Sequence, residues 1–361
     1  MVGSKMASVA TITDVAGRAG VSIKTVSRVM NREEGVRPDT RERVLAAVAE
    51  LRYRPKQSAR SLAGGKSFLI GLLYYDPSAA FVGSVQQGAT LRCREAGYHL
   101  VVESLHNDAP DLERQIDRMV SALLPDGMIL TPPLCDNAQV LQALRDAGTP
   151  YVLISPARDL KGVPSVGMDD TRAAEEVTNL LISLGHQRIG FIRGAPDQAA
   201  AGRREQGYLT AMRTHGLEVD PELLVQGDFR FESGIEAAHR LLSRRSRPTA
   251  VFAANDDMAL GLLAAAQRLG LRVPVDLSIA GFDDSAAASR VWPRLTTVRQ
   301  PTVEMARAAV DLLLGGTTEL ALPRRAASGQ HVFAHELVVR DSTAAPGSAG
   351  AISAPRERAG R

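Results

Sequence analysis

Thr11-Ile12-Thr13-Asp14-Val15-Ala16-Gly17-Arg18-Ala19-Gly20-Val21-Ser22-Ile23-Lys24-Thr25-Val26-Ser27-Arg28-Val29-Met30-Asn31 is the stretch that decides how this chain is read. It describes two short helices broken at Gly20, the pattern of a helix-turn-helix that lays its second helix in a DNA major groove. Thr11 or Thr13 can cap the first helix, and Val15, Ala16 and Ala19 form its inward stripe. Gly20 stands where the chain must turn sharply, a place that favours a residue without Cβ strain. Ser22 offers an oxygen to cap the second helix, whose inner face is Val26, Val29 and Met30. The outer face carries Ile23, Lys24, Thr25, Ser27 and Arg28, groups able to touch base edges, thymine methyls and phosphates. An ordinary surface helix pair is the competing reading of the same pattern.

The flanking sequence favours DNA. Residues 38–51 read as a third helix with Val44, Leu45 and Val48 inside, which completes a small three-helix unit. Residues 53–65 are too polar for a core helix, yet hold good helix formers and end in two glycines. Such a segment need not be helical in isolation, and could form only when something holds it. Residues 1–66 carry 13 Lys+Arg against 6 Asp+Glu, a net of +7, whereas the remaining residues carry 30 against 34, a net of −4. A basic front on an acidic body is the electrostatic footprint of a nucleic-acid-binding domain.

The 361 residues, 45% hydrophobic, suffice for a small domain and a larger body. No apolar run reaches the roughly 18 residues of a membrane span, and the amino terminus lacks the apolar core of a signal peptide. A cytoplasmic location with no membrane partner is expected. The two cysteines, Cys93 and Cys135, form no CxxC, which argues against a disulfide framework or structural zinc.

From Phe68 onward strands alternate with helices, the mark of parallel sheets covered on both faces. The run 68–154 reads as one set, and the alternation restarts after Pro164 with a strand near Val166 and continues to Gly281. One sheet cannot comfortably hold so many strands, so two α/β subdomains with a ligand cleft between them are expected. The segment 295–300 and a helix over 303–314 should cross back to the first subdomain. Residues 342–361, rich in Ala, Gly, Pro, Ser and Arg, read as a disordered tail. The expected boundaries are 10–55 for the helix-turn-helix domain, 56–66 for a hinge helix and linker, and 67–341 for the two-lobed body.

Catalytic signatures are missing. Gly64-Gly65-Lys66-Ser67 resembles the end of a phosphate loop, but the required first glycine falls at Arg60. GxSxG, HExxH and a dinucleotide fingerprint are absent. Asp256-Asp257 and Asp283-Asp284 follow strands in a pattern that suits hydroxyl binding as well as acid–base chemistry. No catalytic residue, metal or cofactor is expected. A periplasmic sugar-binding protein would share the two-lobed body but needs an export signal, and a sugar-active enzyme would show turnover.

The chain resembles the LacI/GalR family of bacterial transcription regulators from about Ala10 to Asp341. The resemblance is carried by Asp14-Val15-Ala16, Gly20-Val21-Ser22, Thr25-Val26-Ser27-Arg28-Val29, Asn31, Tyr53, Pro55 and Ser61-Leu62-Ala63. Further on it rests on Gly185-His186-Gln187-Arg188-Ile189-Gly190-Phe191, Arg204, Gly207, Ala254-Asn255-Asp256, Gly281-Phe282-Asp283-Asp284 and Leu295-Thr296-Thr297-Val298-Arg299-Gln300.

The resemblance implies a homodimer on near-palindromic double-stranded operator DNA and a sugar-type effector, a mono- or disaccharide, in the cleft. It assigns base contacts to Ile23, Lys24 and Arg28, and phosphates or thymine methyls to Ser22, Thr25 and Ser27. Thr11, Asn31, Tyr53, Lys56, Ser58 and Ala59 complete the expected DNA contacts. Leu62 matches a leucine wedged into the minor groove, a device that parts stacked bases; packing against the body is its other reading. Arg204, Asn255 and Asp283 match effector ligands, a donor–acceptor set suited to sugar hydroxyls. Phe229 matches an aromatic that stacks on the sugar, or else serves as a lid or core side chain. Tyr75, Asp76, Phe81, Ser155 and Gln300 join the set, with Asp76 the candidate for setting specificity. Asp169 belongs to a structural turn. Repression relieved by an inducer is the expected mechanism, and corepression fits the same geometry. The end of the chain lacks the leucine-rich tetramerisation helix of the family's lactose-type member.

Overall fold

The computed structural model describes residues 10–30, 33–53, 65–75, 78–315 and 330–347. The chain divides into two compact units, Met1–Phe68 and Leu69–Arg361.

The first unit holds α1 (Ile12–Ala19), α2 (Ile23–Met30) and α3 (Pro38–Glu50). Of the two candidate caps, Thr11 serves: its Oγ1 accepts from Asp14 N–H at 3.3 Å while Asp14 Oδ2 accepts from Thr11 N–H at 2.7 Å. This reciprocal box satisfies donors that the first helical turn leaves free. Gly20, at φ 64, ends α1 in the left-handed region. Ser22 Oγ accepts from Thr25 N–H at 3.1 Å and so caps α2. Val15, Ala16, Ala19, Val26, Val29, Val44, Ala47 and Tyr53 form the core, with Met30 and Val48 packed at its edge. Leu45 corrects the sequence reading: it is half exposed, and Ala47 takes its place. Val44, Ala47 and Val48 lie at i, i+3 and i+4 on one face, whereas a neighbour one residue on is turned about 100° away.

The second unit begins with β1 (Leu69–Tyr74), α4 (Ala79–Glu95), β2 (His99–Ser104), α5 (Leu112–Leu123), β3 (Gly127–Leu130), α6 (Ala138–Asp146), β4 (Tyr151–Ile154) and β5 (Ser165–Met168). It continues through α7 (Asp170–Ser183), β6 (Ile189–Arg193), α8 (Ala199–Thr214), β7 (Leu224–Gln226), α9 (Phe231–Leu242), β8 (Ala250–Ala253), α10 (Asp256–Arg268) and β9 (Ser278–Ala280). It ends with β10 (Thr297–Arg299), α11 (Thr302–Leu313), β11 (His331–Phe333) and β12 (Glu336–Val338).

Two parallel sheets result, in the orders β11-β5-β4-β3-β1-β2 and β7-β6-β8-β9, with an antiparallel β10-β12 ribbon. β3, β4 and β8 are buried along their whole length, as strands covered on both faces must be. α11 packs on α4 and against β3, β4 and β5, so the chain does return to the first lobe after residue 300.

Two readings are corrected here. The strand at Val166 does not open the second lobe. β5 pairs with β4 through Leu153↔Ser165 and Ile154↔Val166, and it is α7 that enters the second lobe. A strand and the helix that follows it need not share a layer, so alternation alone places the crossing one element early. Nor is the tail free from residue 342. Ser342 is fully buried, donates to Ile279 O at 2.6 Å and accepts from Thr296 N–H at 2.8 Å. His186 Nε2 meets Ala344 O at 2.9 Å, and Ala344 N–H donates to Ser278 Oγ at 3.0 Å. Small residues that look like linker composition fit here because they let the chain lie against the second sheet. Residues 348–361 lie outside the described residues. No helix of the described residues is long and apolar enough to cross a membrane.

Candidate nucleic-acid interface and effector cleft

α2 turns Val26 and Val29 into the core and leaves Ser22, Ile23 and Lys24 exposed, with Ile23 at 48%. Thr25, Ser27 and Arg28 stand half-buried along the same outer side. Arg28 is already engaged: its Nε meets Glu33 at 3.2 Å and its Nη2 donates to Glu34 O at 3.0 Å. An exposed pair of this kind is worth at most about 1 kcal/mol, so a phosphate or guanine could outcompete it. Thr11 is exposed but its hydroxyl serves the cap. Tyr53 is a correction in kind. Its ring is a core side chain, 8% exposed, because it seals the base of the three helices. Asn31, Lys56, Ser58, Ala59 and Leu62 lie outside the described residues, as does Asp76.

In the second unit, Tyr75, Phe81, Ser155, Arg204, Phe229, Asn255, Asp283 and Gln300 line one cleft. Eight of the nine expected effector residues thus converge, from the ends of β1, β4 and β8 and from α4 and α8. Strand carboxyl ends converging on one cleft are the usual ligand position in α/β folds.

Arg204 is the centre. It is 5% exposed; its Nε donates to Asp170 Oδ1 at 3.0 Å and its Nη1 donates to Ala254 O at 2.6 Å. The guanidinium lies 3.7 Å over the Phe282 ring, and Asp283 Oδ1 is 3.7 Å from Nη1. A buried cation requires such pairing. Asp170, which sequence reasoning missed, is its main counter-ion, and the need of a buried arginine for a carboxylate was the available signal. Asp169 next to it caps α7 by accepting from Arg172 N–H at 2.9 Å, as the turn reading expects. Ser78 and Gln198 also line the cleft without having been singled out.

Asn255 has two duties. Its Oδ1 caps α10 by accepting from Met258 N–H at 3.0 Å, and its Nδ2 donates to Phe229 O at 2.8 Å. One amide hydrogen and one lone pair remain for a ligand. The bond to Phe229 O holds that residue at φ 71, and its ring packs where a Cβ on Gly194 would fall. Phe229 is therefore a core side chain that also presents an edge to the cleft. Arg203, on α8, donates to Ser155 O at 3.2 Å and Pro156 O at 3.0 Å, tying the second lobe to the end of β4.

Of the paired acids, Asp256 and Asp284 are structural. Asp256 accepts from Thr297 Oγ1 at 2.6 Å and Ser285 N–H at 2.7 Å. Asp284 is held between Arg299 at 2.7 Å and Arg340 at 2.5 Å. Asp283 alone of these faces the cleft, accepting from Gln300 Nε2 at 2.5 Å. Burial pushes its carboxyl up from 3.8 to about 7, against the pull of Arg204 and Gln300. The stability this group contributes is fully present below the ordinary aspartate value and is lost as pH rises through about 7. In Asp283→Asn, the melting temperature should accordingly fall less between pH 5 and pH 8 than in the wild type, as read by differential scanning calorimetry. Parallel profiles would mean that Asp283 is ionised throughout.

The chain matches two family descriptions: bacterial regulatory proteins, lacI family, over residues 11–56, and periplasmic binding protein-like domain over residues 178–343. It is 37% identical over 320 residues to the HTH-type transcriptional repressor PurR of Serratia proteamaculans, covering 84% of this chain and 89% of that one. A solved lac repressor dimer bound to operator and the anti-inducer ONPF superposes with a TM-score of 0.78 at 29% identity, covering 93% of this chain and 99% of that one. A transcriptional regulator CelR–cellobiose complex gives 0.66 at 32% identity, covering 92% and 99%. An exposed outer face on α2, a two-sheet body with a cleft lined by Arg204, Asn255 and Asp283 and this extent of likeness have one reading: the chain belongs to the LacI family of DNA-binding transcriptional regulators, which are not enzymes.

Proposed function

We propose that this regulator is a homodimeric repressor of sugar uptake or catabolism genes whose grip on a near-palindromic operator is loosened by a neutral sugar in the cleft. The observation that carries the reading is the set of Arg204, Asn255, Asp283 and Gln300 gathered beside Phe81 and Phe229 in one cleft. Paired donors and acceptors over aromatic surface suit the alternating hydroxyls and apolar faces of a pyranose. The CelR complex with cellobiose supports the same ligand class. Leu62 is the proposed minor-groove wedge, and segment 56–66 the element through which the cleft acts on DNA.

A ligand shifts such an equilibrium only by its unequal affinity for the two lobe arrangements. A selected operator duplex, fluorescence anisotropy and a panel of neutral sugars test the proposal. One sugar should weaken DNA binding at least about tenfold, a coupling of about 1.4 kcal/mol, and lose that effect in Asp283→Ala. A sugar that instead tightens the complex would make it a corepressor, and no response from any sugar would overturn the ligand class.

A further inference from the structure

Arg203 and Arg204 are neighbours on α8 with different reach. The helix packs on α7 and β6, and Ala201 and Tyr208, on either side of the pair, belong to the second-lobe core. The Arg203 guanidinium nevertheless extends to the first lobe, where Nη1 donates to Pro156 O at 3.0 Å and Nη2 donates to Ser155 O at 3.2 Å. Both carbonyls follow β4, whose Leu153 lies in the first-lobe core. A planar fork of donors can serve two successive carbonyls, which a single ammonium cannot match. The backbone itself passes to the second lobe further on, between β5 and α7, so Arg203 adds a side-chain tie across the junction.

The tie is coupled to the cleft at both ends. On the first-lobe side, Ser155 lines the cleft and stands at φ 49, a left-handed conformation that a non-glycine residue keeps only where its surroundings impose it. On the second-lobe side, Arg203 Nε is buried, makes no hydrogen bond and faces Asp170 Oδ2 across 3.6 Å. The other oxygen of Asp170 accepts from Arg204 Nε at 3.0 Å. One carboxylate therefore stands between two arginines, the first in the cleft and the second at the lobe junction. A small shift of Asp170 would give Arg203 Nε the partner it lacks, and a buried donor left without one is costly. Loop 155–157 has a second brace, in which Asp136 Oδ1 accepts from Ala157 N–H at 2.8 Å, but that bond lies within the first lobe.

We infer that Arg203 is a positioning residue for the effector response: it clasps α8 to the end of β4 and holds the two lobes in the arrangement that a ligand bridging Arg204 and Ser155 favours. The inference rests on the sugar reading above for the nature of that ligand, and on the Arg203 geometry for the clasp. Losing two hydrogen bonds from a charged donor shifts such an equilibrium about tenfold or more. A ligand that needs the clasped arrangement loses apparent affinity in proportion to the population of that arrangement. By the same linkage, an operator favoured by the unclasped arrangement is bound no more weakly.

Pulsed electron spin resonance on the full chain, without sugar, tests the clasp. Nitroxides on Leu124→Cys and Leu269→Cys, both exposed and one on each lobe, report the lobe separation, while the buried Cys93 and Cys135 stay unlabelled. An excess of unlabelled chain keeps the signal to pairs within one protomer. Arg203→Ala should lengthen or broaden the distance distribution, and Arg203→Lys, which can reach one carbonyl, should fall between it and the wild type. Asp136→Ala, which frees the same loop within one lobe, should leave the distribution as it is. Glucose, galactose, maltose and cellobiose then supply the second arm. Whichever of them releases the wild type from operator should bind Arg203→Ala about tenfold more weakly by calorimetry, with sugar-free operator affinity equal or tighter. An unchanged distribution in Arg203→Ala, or the same change in Asp136→Ala, would overturn the clasp. Joint weakening of sugar and operator binding, the mark of general damage, would also overturn it. If no sugar acts on the wild type, the ligand class falls and the distance measurement still decides the clasp.

Discussion

Arg204→Ala is expected to abolish the sugar response and to lower the melting temperature of the larger unit by on the order of 10 °C. Removing the guanidinium leaves Asp170, 2% exposed, with Arg203 at 3.6 Å as its remaining cation, and strips Ala254 O of its donor. Breaking a buried pair by deleting one partner costs about 3–5 kcal/mol, far more than the intact pair contributes over an apolar replacement. The double variant Arg204→Met with Asp170→Leu separates the two roles. It should recover most of the stability, because no buried charge is stranded, yet remain unable to bind the effector. Calorimetric melting and sugar titration of the three proteins decide the matter. Sugar binding by the double variant would show that Arg204 only holds the fold.

The same arginine shows how far the sequence could be read. Arg204, Asn255 and Asp283 are legible through the family resemblance, and Asp283 also as one of the paired acids that follow a strand. Asp170 does not stand out, since an acid after Asp169 at a helix start reads as capping, and only the three-dimensional approach of α8 to α7 reveals its cation. Asn255 reads as a ligand residue, but its capping of α10 and its hold on Phe229 depend on backbone atoms that no side-chain pattern reports. The misplacement of β5 has a similar cause. Periodicity gives the type of each element, whereas the sheet it joins is set by which neighbouring edge is unpaired. Ser342 and Ala344 mark the opposite limit, where composition suggested freedom and specific bonds to Ser278, Ile279 and His186 supply order. In the first unit the local signals agree with one another, and Thr11, Gly20 and Ser22 all act as their types suggest. Leu45 departs because a three-turn helix with two apolar stripes can bury only one.

That agreement makes the small unit a sharp test. Val15→Asp places a carboxylate where the wild type has 0% exposure, in a core built of apolar side chains and Tyr53. Burying such a group unpaired costs several kcal/mol, comparable to the whole stability a domain of this size can hold. The variant should lose the helical signal of the first unit and all operator binding. Sugar binding and the melting of the second unit should stay unchanged, because the two units have separate cores. Ile23→Ala and Lys24→Ala supply the contrast, since both side chains are exposed and their loss should alter stability by no more than about 0.5 kcal/mol. If α2 enters the major groove, Ile23→Ala should weaken specific binding about tenfold through a lost apolar contact to a base, with non-specific binding unchanged. Lys24→Ala should likewise weaken specific binding by about 1–3 kcal/mol and relax the preference at one base pair, the signature of a lost hydrogen-bonded base contact. Wild-type affinity and base preference in both would mean that some other surface of this unit meets the DNA.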